Sequence, residues 1–258
     1  MLPEVVLPLL RRSFSEESQY LAVRTMKLFG LSEAAVDQAI VEMDLPGLGV
    51  GFYPRFPENH LVLSARDAVE AAAWLRVKKA EDEIHKRLGS YIFAYDEETL
   101  EGVVAGLLRE QGRTVSVAES CTGGLITDRL TDIPGSSMYL ERGLVTYSNR
   151  SKTELLGVTE DILQKHGAVS EETARLMAEG VRMLAGSDLG LATTGIAGPD
   201  GGSETKPVGT VFIALADGEE TICRKFSYRW DRRRIKIIAS QAALLMLKQY
   251  LTGGTNRE

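Results

Sequence analysis

The stretch Val117-Ala118-Glu119-Ser120-Cys121-Thr122-Gly123-Gly124 decides how the rest of the chain is interpreted. A β-rich run at 114–118 leads into it, and a helical pattern follows from Leu125. A turn between a strand and a helix leaves backbone N–H groups unpaired above the strand end. In one interpretation Thr122 caps the helix and the glycines make the turn. In the other, Ser120 is a nucleophile or the turn binds an anion, and spacing alone does not choose between them.

The composition is that of a soluble globular protein with room for one large or two small domains. Hydrophobic residues make up 44%, charged residues 26%, and the net charge is −6, which argues against a general nucleic-acid or anionic-membrane binder. No apolar run approaches the roughly 18–20 residues of a membrane span, and the charge order at the start differs from that of a signal peptide. Cys121 and Cys223 lack the spacing of a disulfide framework or metal site. We therefore expect a cytoplasmic protein.

Residues 1–95 are predicted to form a small α+β domain. In chain order, its elements are a helix from Ser15 to Leu28 that Gly30 ends, a helix capped by Ser32, strands at 50–53 and 61–63, and a helix at about 67–88. Basic and acidic residues are interleaved on the last helix, which is typical of a solvated face rather than a nucleic-acid-binding stripe.

Residues 96–258 are predicted to form an α/β domain, because strand and helix patterns alternate. The predicted strands are Arg113–Ala118, Gly143–Ser148, Leu189–Thr194, Gly209–Ala216 and Thr221–Tyr228. Asp217-Gly218 predicts a hairpin between the last two, so at least one strand runs antiparallel. Helices are predicted at about 97–110, after a cap at Ser170, and at about 231–251.

Three further polar stretches begin where predicted strands end. Tyr147 and Lys152 lie near the end of the second strand, Thr194 and Gly195 lead from the third strand into a glycine-rich loop, and Arg232 lies in a run of arginines that begins the last helix. Ligands of open α/β sheets bind at the carboxyl ends of strands, and cations at a helix N-terminus are favourable only beside an anion. The three histidines form no triad, so a serine nucleophile would need another base, and lysine is the known substitute. Each stretch could also be an ordinary surface element.

Six motifs occur in a fixed order: Ala118–Gly124, Pro134–Ser137, Gly143–Asn149 with Lys152, Gly167–Ser170, Thr194–Gly202 and Lys206–Gly209. Over about residues 97–251 the chain thereby resembles the C-terminal domain of the CinA family of competence/damage-inducible proteins, the nicotinamide mononucleotide deamidase domain. Residues 1–95 resemble, more weakly, the small KH-like middle domain of that family. The molybdopterin-binding-like domain that opens full-length members has no counterpart in this sequence, so we expect its ADP-ribose pyrophosphatase activity to be absent.

The resemblance implies a three-layer α/β/α domain with a mixed five-stranded sheet, preceded by a small α+β KH-like domain. It also implies hydrolysis of the carboxamide of nicotinamide mononucleotide to nicotinate mononucleotide and ammonia, without a metal or cofactor. By motif position, Ser120 is the nucleophile, Lys152 its base and proton carrier, and Tyr147 supplies an assisting hydroxyl. A lysine acts as a base near neutral pH only when desolvation or a nearby cation lowers its pKa.

Substrate binding is assigned by the resemblance to Thr194, with Gly195 beside it, and to Arg232. The N–H groups of Cys121, Thr122 and Gly123 are candidate donors to an oxyanion or a phosphate, so Thr122 and Gly123 join the predicted substrate-binding set. The family commonly has an arginine at the position of Lys236. A lysine ammonium cannot make the paired hydrogen bonds that an arginine guanidinium makes with a phosphate. We therefore expect weaker phosphate binding.

Two other hypotheses remain open. One is a nucleotide-binding or regulatory module without amidase chemistry, and the other is an RNA adaptor acting through residues 1–95. The expected partner is nicotinamide mononucleotide as a small-molecule substrate, with no nucleic acid and no membrane. The resemblance suggests a homodimer or higher homo-oligomer.

Overall fold

The computed structural model describes residues 19–41, 43 and 45–253, and the chain divides into two compact units between Glu98 and Thr99. In the first unit a four-stranded antiparallel sheet in the order β2-β3-β1-β4 packs against two helices. Its elements are β1 (Tyr20–Leu28), α1 (Glu33–Ile40), β2 (Leu48–Arg55), β3 (Glu58–Asp67), α2 (Glu70–Leu88) and β4 (Ile92–Tyr95). Ser32 caps α1, as predicted.

The helix predicted from Ser15 to Leu28 is wrong where the structure describes it, because Tyr20–Leu28 is strand β1. Ser15 itself lies outside the described residues. The inward positions Ala22, Met26 and Leu28 are buried, but outward positions such as Leu21 are apolar as well. When both faces of a strand are apolar, the alternation of apolar and polar residues is lost. The remaining pattern also fits the spacing of a helix. The two predicted strands and the two remaining helices are confirmed.

The second unit contains the predicted mixed five-stranded sheet, in the order β6-β5-β7-β8-β9. Strand β5 runs parallel to β6 and β7, while β8 is antiparallel to both β7 and β9. The strands are β5 (Val115–Glu119), β6 (Leu140–Val145), β7 (Leu189–Gly195), β8 (Thr210–Ala216) and β9 (Thr221–Ser227). The helices are α3 (Leu100–Gln111), α4 (Leu125–Thr131), α5 (Asn149–Leu156), α6 (Glu160–His166), α7 (Glu171–Ala185) and α8 (Arg232–Leu251).

Helices cover both faces of this sheet, which confirms the α/β/α layering. On one face α7 packs over β5, β7 and β8 through an apolar cluster that includes Ala118, Ala192 and Met177. On the other face α8 packs on β7 and β8 and also contacts α3. The predicted cap Ser170 accepts a hydrogen bond from the first turn of its helix, and Asp231, where the last helix was predicted to begin, does the same.

A glycine on α7 fixes the position of α5. A Cβ atom at Gly180 would lie 2.1 Å from the carbonyl oxygen of Leu156, the last residue of α5. Only a residue without a side chain permits so close an approach of a helix to a backbone carbonyl. Helix α5 carries Lys152, so this contact holds the segment that delivers the lysine to the sheet edge.

Candidate active site

The site forms where three parallel strands end at one edge of the sheet. Strand β5 ends at Glu119, so Ser120 is the first residue beyond it, and β6 and β7 end beside it at Val145 and Gly195. The N–H of Ser120 donates to the carbonyl of Thr193 (3.0 Å), which ties the start of the turn to the neighbouring strand. The parallel register therefore brings the predicted catalytic stretches together.

A cavity of about 180 Å³ opens at this edge. Six of the eight predicted site residues line it, namely Ser120, Tyr147, Lys152, Thr194, Gly195 and Arg232. Cys121, Ala168, Val169 and Ala197 complete the lining. Thr122 and Gly123 are not among its lining residues.

Ser120 and Lys152 are in direct contact. Lys152 Nζ lies 3.0 Å from Ser120 Oγ, 2.7 Å from the carbonyl oxygen of Thr146 and 3.3 Å from that of Tyr147. Lys152 is 1% exposed and Ser120 is 8% exposed, so the pair is nearly enclosed by protein. Ser148 caps α5, which places Lys152 in the first turn of the helix and directs it back toward β5.

Burial changes the acidity of the lysine. Removal from water disfavours the charged ammonium and lowers the pKa of Lys152 to about 8, against an ordinary value of 10.5. Among the described residues, no carboxylate lies within ion-pair distance of Nζ to offset this effect. Lys152 therefore loses its proton at a lower pH than an exposed lysine does, as general-base chemistry requires.

Tyr147 and Arg232 bridge one side of the cavity. One guanidinium nitrogen of Arg232 donates to the Tyr147 hydroxyl (3.1 Å) and the other donates to the carbonyl of Gly198 (2.7 Å). The bridge joins the segment after β6, the loop after β7 and the start of α8. The Tyr147 side chain is otherwise largely exposed, so Arg232 fixes the orientation of its hydroxyl.

Ala168 and Val169 form another part of the lining, and two side chains hold the turn that contains them. The Thr194 hydroxyl donates to the carbonyl of Ala168 (2.6 Å), and Lys206 Nζ donates to the carbonyl of His166 (2.6 Å). Sequence reasoning assigned no role to Lys206 or to this turn, although both lie in the six motifs. A lysine beside a proline in a glycine-rich loop is the one sequence feature that could have indicated an anchoring role.

Thr122 does not cap the helix, so that part of the first interpretation is wrong, although Gly123 and Gly124 do make the turn. Its side chain is fully buried, and its hydroxyl hydrogen-bonds to that of Thr193 (2.8 Å). The cap position of α4 is Gly124, which has a positive φ and provides no side-chain hydrogen bond. A Cβ at Gly123 would lie 3.4 Å from Lys236 Nζ, so the loop and the cation of α8 are neighbours.

The thiol of Cys121 is unlike that of a reactive cysteine. Burial raises the pKa of Cys121 to about 12, and the nearby charge of Glu119 acts in the same direction. A thiol is reactive mainly as the thiolate, so Cys121 behaves as a small apolar residue behind the turn. Ser120 is thus the hydroxyl side chain in the cavity that contacts the amine of Lys152.

Family models match the two parts of the chain separately. The CinA C-terminal domain matches residues 97–251, and the KH domain of the damage-inducible protein CinA matches residues 23–94. The chain belongs to the CinA family. The C-terminal match covers the second unit with its cavity, and the KH match covers most of the first unit.

Relatives and solved structures agree with this assignment. A CinA-like protein of Syntrophus aciditrophicus is 64% identical over 99% of this chain and 61% of its own length. One from Geotalea uraniireducens is 45% identical over 97% of this chain and 60% of its own length, so the chain spans about three fifths of these relatives. The crystal structure of a competence/damage-inducible protein from Agrobacterium tumefaciens is 40% identical, with a TM-score of 0.57, and covers 59% of this chain and 95% of that one.

No helix within the described ranges 19–41 and 45–253 is both long and apolar enough to cross a membrane.

Proposed function

We propose that the second unit hydrolyses the carboxamide of nicotinamide mononucleotide, giving nicotinate mononucleotide and ammonia. The observation that carries this proposal is the buried contact of 3.0 Å between Ser120 Oγ and Lys152 Nζ in a CinA-family cavity. An amide is a poor electrophile, so its hydrolysis needs an activated nucleophile, a base and a proton donor for the leaving nitrogen. Ser120 and Lys152 together supply all three.

The three contacts of Nζ suit a neutral amine. The carbonyl oxygens of Thr146 and Tyr147 can only accept hydrogen bonds, so they orient two N–H groups of Lys152. When the ammonium loses its third proton, the lone pair that remains points toward Ser120 Oγ. The two carbonyls thereby fix the direction in which Lys152 accepts a proton, and the hydroxyl of Ser120 becomes the donor.

The reaction follows as two proton-coupled steps. Ser120 Oγ attacks the carboxamide carbon while Nζ accepts the hydroxyl proton, and Nζ then transfers that proton to the amide nitrogen. The C–N bond breaks, ammonia leaves, and an ester remains on Ser120. Water attacks this ester, gives its proton to Nζ, and releases the carboxylate as Oγ recovers a proton.

Cations near the cavity suit the phosphate of the nucleotide. Arg232 lines the cavity, and Lys236 lies beside the loop that contains Gly123. Arg232 already donates to Gly198 and Tyr147, so we assign the phosphate to Lys236 and the N–H of Gly123, and Arg232 to the orientation of Tyr147. This division keeps the charged end of the substrate away from the desolvated amine.

A panel of substrates tests the proposal. Purified protein is incubated at pH 8 with nicotinamide mononucleotide, nicotinamide riboside, nicotinamide adenine dinucleotide and free nicotinamide, and ammonia is measured. We expect kcat/KM to be highest for the mononucleotide and at least about tenfold lower for the riboside, which lacks the phosphate. Binding of the mononucleotide without ammonia release from any member would favour a nucleotide-binding module instead.

The pH dependence of turnover reports on Lys152. The neutral amine is the active form, so kcat/KM should rise with pH and level off above the pKa of about 8. Well below that midpoint the rate should increase about tenfold for each pH unit. Initial rates between pH 5.5 and 9.5 measure the profile. A rate that is flat across this range, or that falls as pH rises through 8, contradicts Lys152 as the base.

A further inference from the structure

The carboxylate of Glu119 organises the turn that follows Ser120 in the chain. Glu119 is 0% exposed and is the last residue of β5. Its Oε2 accepts hydrogen bonds from the N–H groups of Gly124 (3.0 Å) and Ile126 (3.1 Å). Its Oε1 accepts from the N–H of Thr127 (2.9 Å) and from the Thr127 hydroxyl (2.8 Å). Four donors from the start of α4 thus converge on one buried carboxylate.

These contacts provide the helix cap that Thr122 does not. A buried carboxylate is costly unless hydrogen bonds replace its water, and bonds to a charged acceptor are stronger than those between neutral groups. The backbone of Glu119 is held as well, because its carbonyl accepts from the N–H of Thr146 (2.8 Å). The carbonyl of Thr146 in turn accepts from Lys152 Nζ. The backbone of Glu119 is therefore linked to Thr146, whose carbonyl orients Lys152. Its side chain is linked to Gly124, at the end of the turn that begins with Ser120.

The turn between these anchors contains two glycines with positive φ, +66° at Gly123 and +96° at Gly124. Glycine populates this region readily but also leaves it readily, so the turn needs an external restraint to keep one conformation. The carboxylate takes up the N–H groups of Gly124, Ile126 and Thr127. Among the described residues, the N–H of Gly123 donates to no backbone acceptor.

We propose that Glu119 is a positioning residue, which holds the Ser120–Gly123 turn so that Oγ stays in line with Lys152 and the N–H of Gly123 faces the substrate. The inference rests on the proposed amidase function, but it concerns the geometry of the turn rather than the identity of the substrate. Glu119 contacts neither reacting atom. It acts through the backbone that carries them.

The same arrangement explains a glycine on the neighbouring strand. A Cβ at Gly143 of β6 would lie 2.3 Å from Cγ2 and 2.5 Å from Oγ1 of Thr127. Glycine there lets the Thr127 side chain lie against β6 and direct its hydroxyl to Glu119. The motif that begins at Gly143 thus supports the motif that contains Ser120.

Two variants on one helix test this role. Thr127→Val removes one hydrogen bond to the carboxylate at nearly constant volume. Thr131→Val is the matched control, because its hydroxyl donates to the Asp128 carbonyl at the exposed end of α4 and, among the described residues, not to Glu119. We expect Thr127→Val to lower kcat about tenfold with KM changed less than twofold, and Thr131→Val to alter neither. Glu119→Gln, which offers one acceptor where the turn needs two, should lower kcat about 10³-fold.

A second readout separates this inference from the choice of substrate. Covalent labelling of Ser120 by a fluorophosphonate needs the oriented hydroxyl and its base but not the nucleotide. We expect the labelling rate to fall in the same order, Thr131→Val unchanged, Thr127→Val lower and Glu119→Gln lowest, with the thermal midpoint of Thr127→Val within a few degrees of the control. Labelling in this order without ammonia release by the wild type would contradict the proposed substrate but support the positioning role of Glu119. Equal kcat and equal labelling of the two threonine variants overturn the role of Glu119, as does a wild type that shows neither activity.

Discussion

Lys152→Met is expected to lower kcat for ammonia release by about 10⁴-fold or more. Methionine fills the buried space left by the lysine stem, so the fold should persist, but no group remains to take the proton from Ser120 Oγ. The carbonyls of Thr146 and Tyr147 also lose their donor. Initial rates at pH 8 measure the loss, and circular dichroism checks the fold.

Two controls distinguish a base from a cation at this position. Lys165→Met makes the same chemical change on the exposed face of α6 and should leave kcat unchanged. Lys152→Arg keeps donors for the two carbonyls but stays protonated at every accessible pH, so it should be nearly as inactive as Lys152→Met. Activity in the arginine variant within tenfold of the wild type would show that position 152 supplies charge rather than a proton acceptor.

Ser120→Ala is expected to abolish turnover, with a loss of about 10⁴-fold or more in kcat, because the ester intermediate can no longer form. Substrate affinity should change little, since one small hydroxyl in the cavity lining is removed and the cations near the cavity remain. Calorimetric titration with nicotinamide mononucleotide measures that affinity directly. In the variant, the neutral amine of Lys152 loses its partner at 3.0 Å.

Ser116→Ala is the matched control, on the strand that leads to Ser120. Ser116 is buried in β5, and its hydroxyl has no hydrogen-bond partner among the described residues. Its removal should therefore leave kcat unchanged and alter the free energy of unfolding very little. A Ser120→Ala protein that turns over at the rate of Ser116→Ala would exclude the covalent route through Ser120.

Local patterns in the sequence were sufficient to predict the five strands and the long helices of the second unit, while its three-layer architecture was implied by the family resemblance. Its strands are rich in β-branched and aliphatic residues, its helices carry Ser170 and Asp231 as caps, and Asp217-Gly218 marks the hairpin, so propensity and tertiary structure agree. The parallel arrangement of β5, β6 and β7 then followed from strand–helix alternation. That arrangement brings the ends of distant motifs to one edge of the sheet.

The failures have a common cause, which is that contacts between segments override local pattern. Strand β1 has apolar residues on both faces, and the helix predicted across it fits the spacing equally well. Thr122 has the chemistry of a helix cap, but Thr193 on the neighbouring strand engages its hydroxyl and Glu119 caps the helix instead. Neither the partner of Thr122 nor the four donors to Glu119 can be derived from spacing along the chain.

The predicted site residues differ in how the structure arranges them. Ser120, Lys152 and Tyr147 line one cavity with Thr194, Gly195 and Arg232. Thr194 and Arg232 are engaged with protein carbonyls, so their hydrogen bonds shape the cavity walls. The sequence indicates which type of residue lies at a strand end. It does not indicate whether that side chain is already hydrogen-bonded to another part of the protein.

The most direct measurement of the central claim is a time course of both products at pH 8. Purified wild-type protein is incubated with nicotinamide mononucleotide, with Ser120→Ala at the same concentration as the reference. The amidase mechanism predicts ammonia and nicotinate mononucleotide in equal amounts, over many turnovers, from the wild type and neither product above background from Ser120→Ala. No ammonia from the folded wild-type protein, or equal release from both proteins, would contradict it.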